Sequence, residues 1–269
     1  SARSPDCADY AGFYISSASD VNRGIGFSGS VEITASAESC SLISNSIPNH
    51  DFNDGSASFP NNTNEVDQDL VILRNAQIAE TITELDQGSL DVILLNGAPV
   101  DMLSAGCWDG SKNVAVGCNA DSDWLIDPLG SDGFLSADTH NGHTQPNGLY
   151  HYHGEPRALY DDNPGPEGSP VIGFAADGFP VYGPYCLDPN SGQVRKAVSG
   201  YTLREGSRPT GPGGTYDGFY NDDWNFTDSG DLDRCNGMTI DNQYGYFVTD
   251  TYPWMIKCFS GTPHFSFEK

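Results

Sequence analysis

Beyond residue 96 the chain meets Gly, Pro, Asn or Asp every few residues, and this punctuation limits its fold more than any other feature. Proline removes a backbone donor and clashes inside a helix, glycine costs about 1 kcal/mol relative to alanine there, and Asn and Asp divert the backbone into turns. Long helices are disfavoured throughout this region. The 31 glycines and 17 prolines beside only 18% charged residues point the same way. The expected fold class is mainly β: a single β-rich domain with long irregular loops and few short helices. A length of 269 residues is ordinary for one elaborated β domain.

Residues 29–47 alternate polar with apolar or small side chains (Val31, Ile33, Ala35), as half-buried strands do, and Ile47 to Asp51 reads as a turn. Leu70–Leu73 and Asp91–Leu95 read as buried strands, Gln77–Leu85 as either strand or short helix, and Ser122–Leu129 as the one modest helix candidate. The apolar run Val92–Leu95 is far short of the ~18 residues a membrane span needs. An internal echo stands out. Asn141-Gly142-His143-Thr144 followed by Tyr150-His151-Tyr152-His153 is repeated in Asn236-Gly237-Met238-Thr239 followed by Tyr244-Gly245-Tyr246-Phe247. Each copy reads as an Asn-Gly turn leading into an aromatic-alternating strand, so two pseudo-repeated hairpins are expected.

Twelve Lys and Arg against 37 Asp and Glu leave a net charge of −25, which repels a phosphate backbone and excludes nucleic acid as a partner. The acid is spread through loops (Asp121/Asp123, Asp161/Asp162, Asp222/Asp223, Asp231/Asp233), as a solvated surface requires. Seven cysteines without a C-x-x-C pair point to an oxidised, disulfide-stapled chain. Cys107 can staple a short loop with Cys118, and Cys7 can tie the N-terminus down through Cys40; among Cys186, Cys235 and Cys258 one is left unpaired. A start at Ser1 without an apolar leader fits a secreted, extracellular or periplasmic protein whose signal peptide has been removed. Sequons at Asn61 and Asn225 matter only where the source glycosylates.

Four of the six histidines (His140, His143, His151, His153) fall within fourteen residues. Side chains at i and i+2 of a strand share a face about 6–7 Å apart, so His151 and His153 stand side by side while Tyr150 and Tyr152 face the other way. The other hairpin arm can bring His143 alongside. Three neutral imidazoles with an open position suit a reactive copper or zinc site, one ion per chain. An H-x-H pair can also be mere polar decoration of a strand, but a third histidine on the facing arm weakens that reading. His140, across a turn, is more often solvent-facing. Asp177, within Gly173 to Pro184, is an Asp-Gly turn by backbone chemistry; functionally, it could orient a ligand imidazole or act as a general base.

Tyr150-His151-Tyr152-His153-Gly154, with Asp138 to Gly148 upstream, resembles the YHYH-domain proteins, an exported and poorly characterised family named for this tetrad. The likeness continues through Asn45–His50, Leu95-Asn96-Gly97, Ala175–Pro184, Tyr216-Asp217-Gly218 and Asp231–Pro263, covering residues 40–265. It implies an N-terminal strand or extension over 1–40 and a YHYH-type β domain over 41–265, with hairpins near 138–153 and 233–247. It also adds His50, otherwise a lone loop histidine, as a candidate fourth ligand, and leaves open which of His140 and His143 reaches the metal. Hydrolysis or hydration, or copper redox chemistry, on a small-molecule or extracellular substrate would follow. The competing expectation is a non-catalytic module with calcium on its acidic loops, as a structural ion, and exposed aromatics (Tyr182, Tyr185, Trp224, Trp254) for glycan or a partner.

Overall fold

The computed structural model describes residues 3–111, 114–130 and 136–269. Strands β1 (Gly12–Asp20), β2 (Ile25–Ala35), β3 (Ser39–Ser44) and β4 (Gln68–Leu73) form an antiparallel sheet in sequence order. Its period-2 pattern resolves into two faces: Val31, Ile33, Leu42, Leu70 and Ile72 are buried, whereas Glu32 and Ile43 look outward. A disulfide between Cys7 and Cys40 ties the N-terminal turn to β3.

Short strands follow: β5 (Thr83–Glu84), β6 (Val92–Leu94), β7 (Pro99–Val100), β8 (Gly106–Trp108), β9 (Val114–Val116), β10 (Gly142–Thr144) and β11 (Tyr150–Tyr152). The second half of the chain gives β12 (Val171–Ala175), β13 (Pro180–Tyr182), β14 (Tyr185–Leu187), β15 (Val194–Lys196), β16 (Tyr201–Leu203), β17 (Trp224–Phe226), β18 (Gly237–Ile240), β19 (Gln243–Phe247) and β20 (Cys258–Phe259). Among the described residues the helical elements are single 3-10 turns, and none is long and apolar enough to cross a membrane. The protein is mainly β. Ser122–Leu129, expected as a helix, is instead turns, with Leu125 and Ile126 in isolated bridges to Cys107 and Tyr220. The ambiguous 77–85 segment contains only the two-residue strand β5.

Eight strands form the central sheet in the order β10-β11-β7-β6-β12-β13-β19-β18. This order is a palindrome. At its centre β6 and β12 pair antiparallel, with Leu94 opposite Gly173, Ile93 opposite Phe174 and Val92 opposite Ala175. On one side Val100 of β7 lies parallel to Tyr152; on the other Val181 of β13 lies parallel to Tyr246. The echo seen in the sequence is therefore half of a larger duplication. Asn96-Gly97-Ala98-Pro99-Val100 and Asp177-Gly178-Phe179-Pro180-Val181 form matching turns, in which Gly97 N and Gly178 N donate to Leu94 O and Ala175 O at 2.9 and 2.8 Å.

The two outer hairpins also match in atomic detail, with one departure from expectation. Their Asn-Gly pairs do not reverse the chain; they close a small loop at the start of β10 and β18. Asp138 Oδ1 accepts from His140 N and Gly142 N, as Asp233 Oδ1 does from Cys235 N and Gly237 N. Asn141 and Asn236 take the positive φ that the loop needs (63° and 72°). Each glycine is required by close approach: a Cβ would lie 2.3 Å from Tyr150 Oη at Gly142 and 2.1 Å from Tyr244 Oη at Gly237. Those hydroxyls donate to Asp138 Oδ2 and Asp233 Oδ2, both at 2.9 Å.

The disulfides Cys107–Cys118 and Cys235–Cys258 complete a set of three, leaving Cys186 as the buried free thiol. The first fastens β8 to the loop after β9, and the second fastens the second hairpin to β20.

Candidate metal centre

His143 lies at the middle of β10, directly across from His151 of β11, and His153 follows β11 with its N–H on Asn141 O at 3.0 Å. Antiparallel pairing supplies one imidazole from each arm, and the two-residue strand period supplies the third. Their Nε2 atoms converge: His151 to His153 at 3.0 Å and His153 to His143 at 2.9 Å. His151 and His153 are buried, and His143 is partly exposed. Tyr150 and Tyr152 fill the opposite face of the strand, wholly buried, as the alternation requires.

Hydrogen bonding among neutral imidazoles does not by itself account for both close contacts of His153 Nε2. His151 Nδ1 faces Leu149 O at 3.3 Å; a carbonyl can only accept, so the proton sits on Nδ1 and Nε2 carries a lone pair. His153 Nε2 stands between two other Nε2 atoms and has at most one proton to give. Burial first, and the neighbouring imidazoles second, push His151 well below the usual histidine range; burial and His143 do the same to His153. Three imidazoles on a tetrahedral ion at about 2.0–2.1 Å would sit roughly 3.3 Å apart. The two spacings about His153, 3.0 and 2.9 Å, are within a few tenths of an ångström of that, so the donor set fits a transition-metal ion. His143, His151 and His153 form a group whose ligand atoms lie within 4.8 Å of one another.

Two of the other expected site residues lie elsewhere. His50 is on the far face of β11, where its Nδ1 donates to Asp51 O at 2.6 Å and its Nε2 accepts from Tyr152 Oη at 2.5 Å. Its lone pair is committed to a tyrosine that points away from the triad, so it is not positioned as a fourth ligand. Burial drives its pKa down to about 4. His140 stacks on His50, with ring centroids 4.0 Å apart, which leaves His143 as the member of the triad. Asp177 belongs to the opposite half of the sheet. Its carboxylate accepts from Tyr246 Oη at 2.6 Å, Gly261 N at 2.9 Å and Phe179 N at 3.3 Å. It closes the second half's turn, as Asn96 does in the first by donating to Tyr152 Oη at 3.0 Å. The hydrogen bonds of the Asp177 carboxylate go to Tyr246, Gly261 and Phe179, and none goes to an imidazole of the triad.

The second hairpin has Met238, Gly245 and Phe247 where the first has His143, His151 and His153. Its equivalent slot is packed shut: Tyr182 stacks on Phe247 at 5.0 Å, and a Cβ on Gly245 would lie 2.6 Å from the Tyr182 ring. Tyr182 is therefore buried and not an exposed aromatic, while Tyr185, Trp224 and Trp254 are partly covered. Several of the loop carboxylates are also engaged in ion pairs, Asp223 with buried Arg208 and Asp231 with Arg195.

The triad opens into a cavity of about 490 Å³ that also exposes Asp101, Gln145 and Lys269. Asp101 Oδ2 accepts from Gln145 Nε2 at 3.1 Å and is ion-paired with Lys269 Nζ. Burial raises the Asp101 carboxyl, and it raises that of the adjacent Asp91 strongly. Sequence reasoning passed over these polar residues. Gln145 stood inside the histidine block and could have been flagged; nothing local marks Asp101 or Lys269.

A family described as YHYH protein matches residues 69–261. No curated protein and no solved structure matches the chain.

Proposed function

The chain belongs to the YHYH protein family, and we propose that it is an exported metal-binding protein whose His143, His151 and His153 hold one copper or zinc ion. The observation that carries this reading is that His153 Nε2 lies 3.0 Å from His151 Nε2 and 2.9 Å from His143 Nε2, with all three ligand atoms within 4.8 Å of one another in a largely buried strand pair. Neutral imidazoles suit both metals, and neither a thiolate nor a thioether joins the set, which argues against a blue-copper electron carrier. Zinc in such a site supplies Lewis acidity for hydrolysis or hydration, and copper supplies redox chemistry. The chain's own contribution is to hold the imidazoles. Leu149 O fixes the His151 tautomer, and the Asp138–Tyr150 pair fixes the hairpin from behind. Three disulfides and the acidic charge support an extracellular or periplasmic address.

Elemental analysis of protein purified without a histidine tag tests the proposal. About one copper or zinc per chain is expected, and its loss in the His151→Ala/His153→Ala double variant. Calcium alone, no metal, or a double variant with undiminished metal would overturn it.

A further inference from the structure

The cavity in front of the histidine triad has a mixed wall. Pro60, Leu103, Ala105 and Pro146 supply apolar surface, while Lys269, ion-paired with Asp101, supplies a cation. With only 12 Lys and Arg in a chain of net charge −25, a lysine inside this cavity is conspicuous. Lys269 lines the same cavity as His143, His151 and His153. Two of its three donors go to Asp101 and, at 3.1 Å, to Gln87 O.

The charge balance follows from the ligand types. Three neutral imidazoles leave the two charges of a divalent ion uncompensated, and the Asp101 carboxylate is matched by Lys269. A partly desolvated cavity carrying that surplus favours an anionic oxygen donor over a neutral ligand. A volume of about 490 Å³ is in the range of organic-ligand pockets and far exceeds one water.

We propose that the cavity binds an organic carboxylate, with one carboxylate oxygen directed to the metal held by the triad, the other to Lys269 Nζ, and an apolar body against Leu103, Ala105, Pro60 and Pro146. This deepens the metal-site reading and rests on it. Lys269 is here a binding residue of the cavity, paired with Asp101 to keep its ammonium aimed inward.

Cobalt(II) is the probe, because its visible d–d bands report on ligand exchange. The cobalt-loaded protein is titrated with benzoate, acetate and neutral benzamide. Benzoate should shift the bands saturably and bind several-fold tighter than acetate, with benzamide inert. Lys269→Met should weaken benzoate about tenfold or more, the scale of a lost charge-assisted hydrogen bond, without changing the cobalt spectrum in the absence of benzoate; Lys269→Arg should restore most of the affinity. A normal cobalt spectrum that no carboxylate perturbs, equal binding of benzamide, or full benzoate affinity in Lys269→Met overturns this inference alone. Failure of the wild-type chain to take up cobalt overturns the metal site and this inference with it.

Discussion

Replacing Gly142 with alanine, beside the matched replacement of Gly237, separates the scaffold from the site. A Cβ at Gly142 would lie 2.3 Å from Tyr150 Oη, 2.5 Å from its Cζ and 3.0 Å from His151 O. The ring is wholly buried and cannot swing away, so either β10 or the tyrosine must shift. Overpacking of this kind costs about 1–3 kcal/mol. A displaced Tyr150 also surrenders its 2.9 Å bond to Asp138 in a buried setting, adding about 1–3 kcal/mol. Gly142→Ala should therefore lose about 2–6 kcal/mol of stability. Gly237→Ala faces the same clash, 2.1 Å from Tyr244 Oη, and should lose a comparable amount. The two should part company in metal affinity. Gly142 adjoins His143 and pairs with Tyr152, so a shift of β10 pulls His143 away from His151 and His153, whereas β18 carries no ligand. Urea unfolding of the metal-free, oxidised protein gives the stabilities, and competition with a chromophoric chelator gives the affinities. Equal loss of metal affinity in both variants, or a Gly142→Ala protein within about 0.5 kcal/mol of wild type, would refute the reasoning.

Two further outcomes follow from single residues. His50 has a folded pKa near 4 against 6.5 for the free group, so the unfolded chain takes up its proton first; its contribution is intact above pH 6.5 and falls as pH drops toward 4, by up to about 3 kcal/mol. Asp127, raised to about 6 by burial, works in the opposite sense over an overlapping window, so the comparison is between wild type and His50→Gln, whose difference in urea midpoint should vary across pH 4–6.5; a pH-independent difference would contradict the assignment. Thiol titration of the unfolded, unreduced chain should find one reactive group, Cys186, and a Cys235→Ser/Cys258→Ser chain should be about 3 kcal/mol less stable; three free thiols would mean that one of the disulfides is absent.

Much of the site was legible because it is local. The strand period alone puts His151 and His153 on one face and Tyr150 and Tyr152 on the other, and a hairpin partner is the natural place for His143. Breaker density ruled out long helices, and the Asn-Gly echo announced two equivalent hairpins. The pairs Cys7–Cys40 and Cys107–Cys118, offered by the sequence as possibilities without fixing the connectivity, are both formed in the fold. The N–G pairs were misplaced by one structural step, since Asp138 and Asp233, four residues before each glycine, capture its N–H and move the loop ahead of the strand.

His50, Asp177, Asp101 and Lys269 could be placed only by the tertiary structure. Each lies far along the chain from the tetrad, and its position depends on which strands become neighbours in the sheet. The palindromic order sends Asp177 to the half with the filled slot, carries His50 behind β11 to the Tyr152 hydroxyl, and brings Asp101 and Lys269 to the open front of the triad. The sequence determined which side chains share a strand face, because backbone geometry fixes that with a period of two. The fold decided which distant groups complete the cavity, because that depends on long-range pairing and on where a ring such as Tyr182 leaves no room.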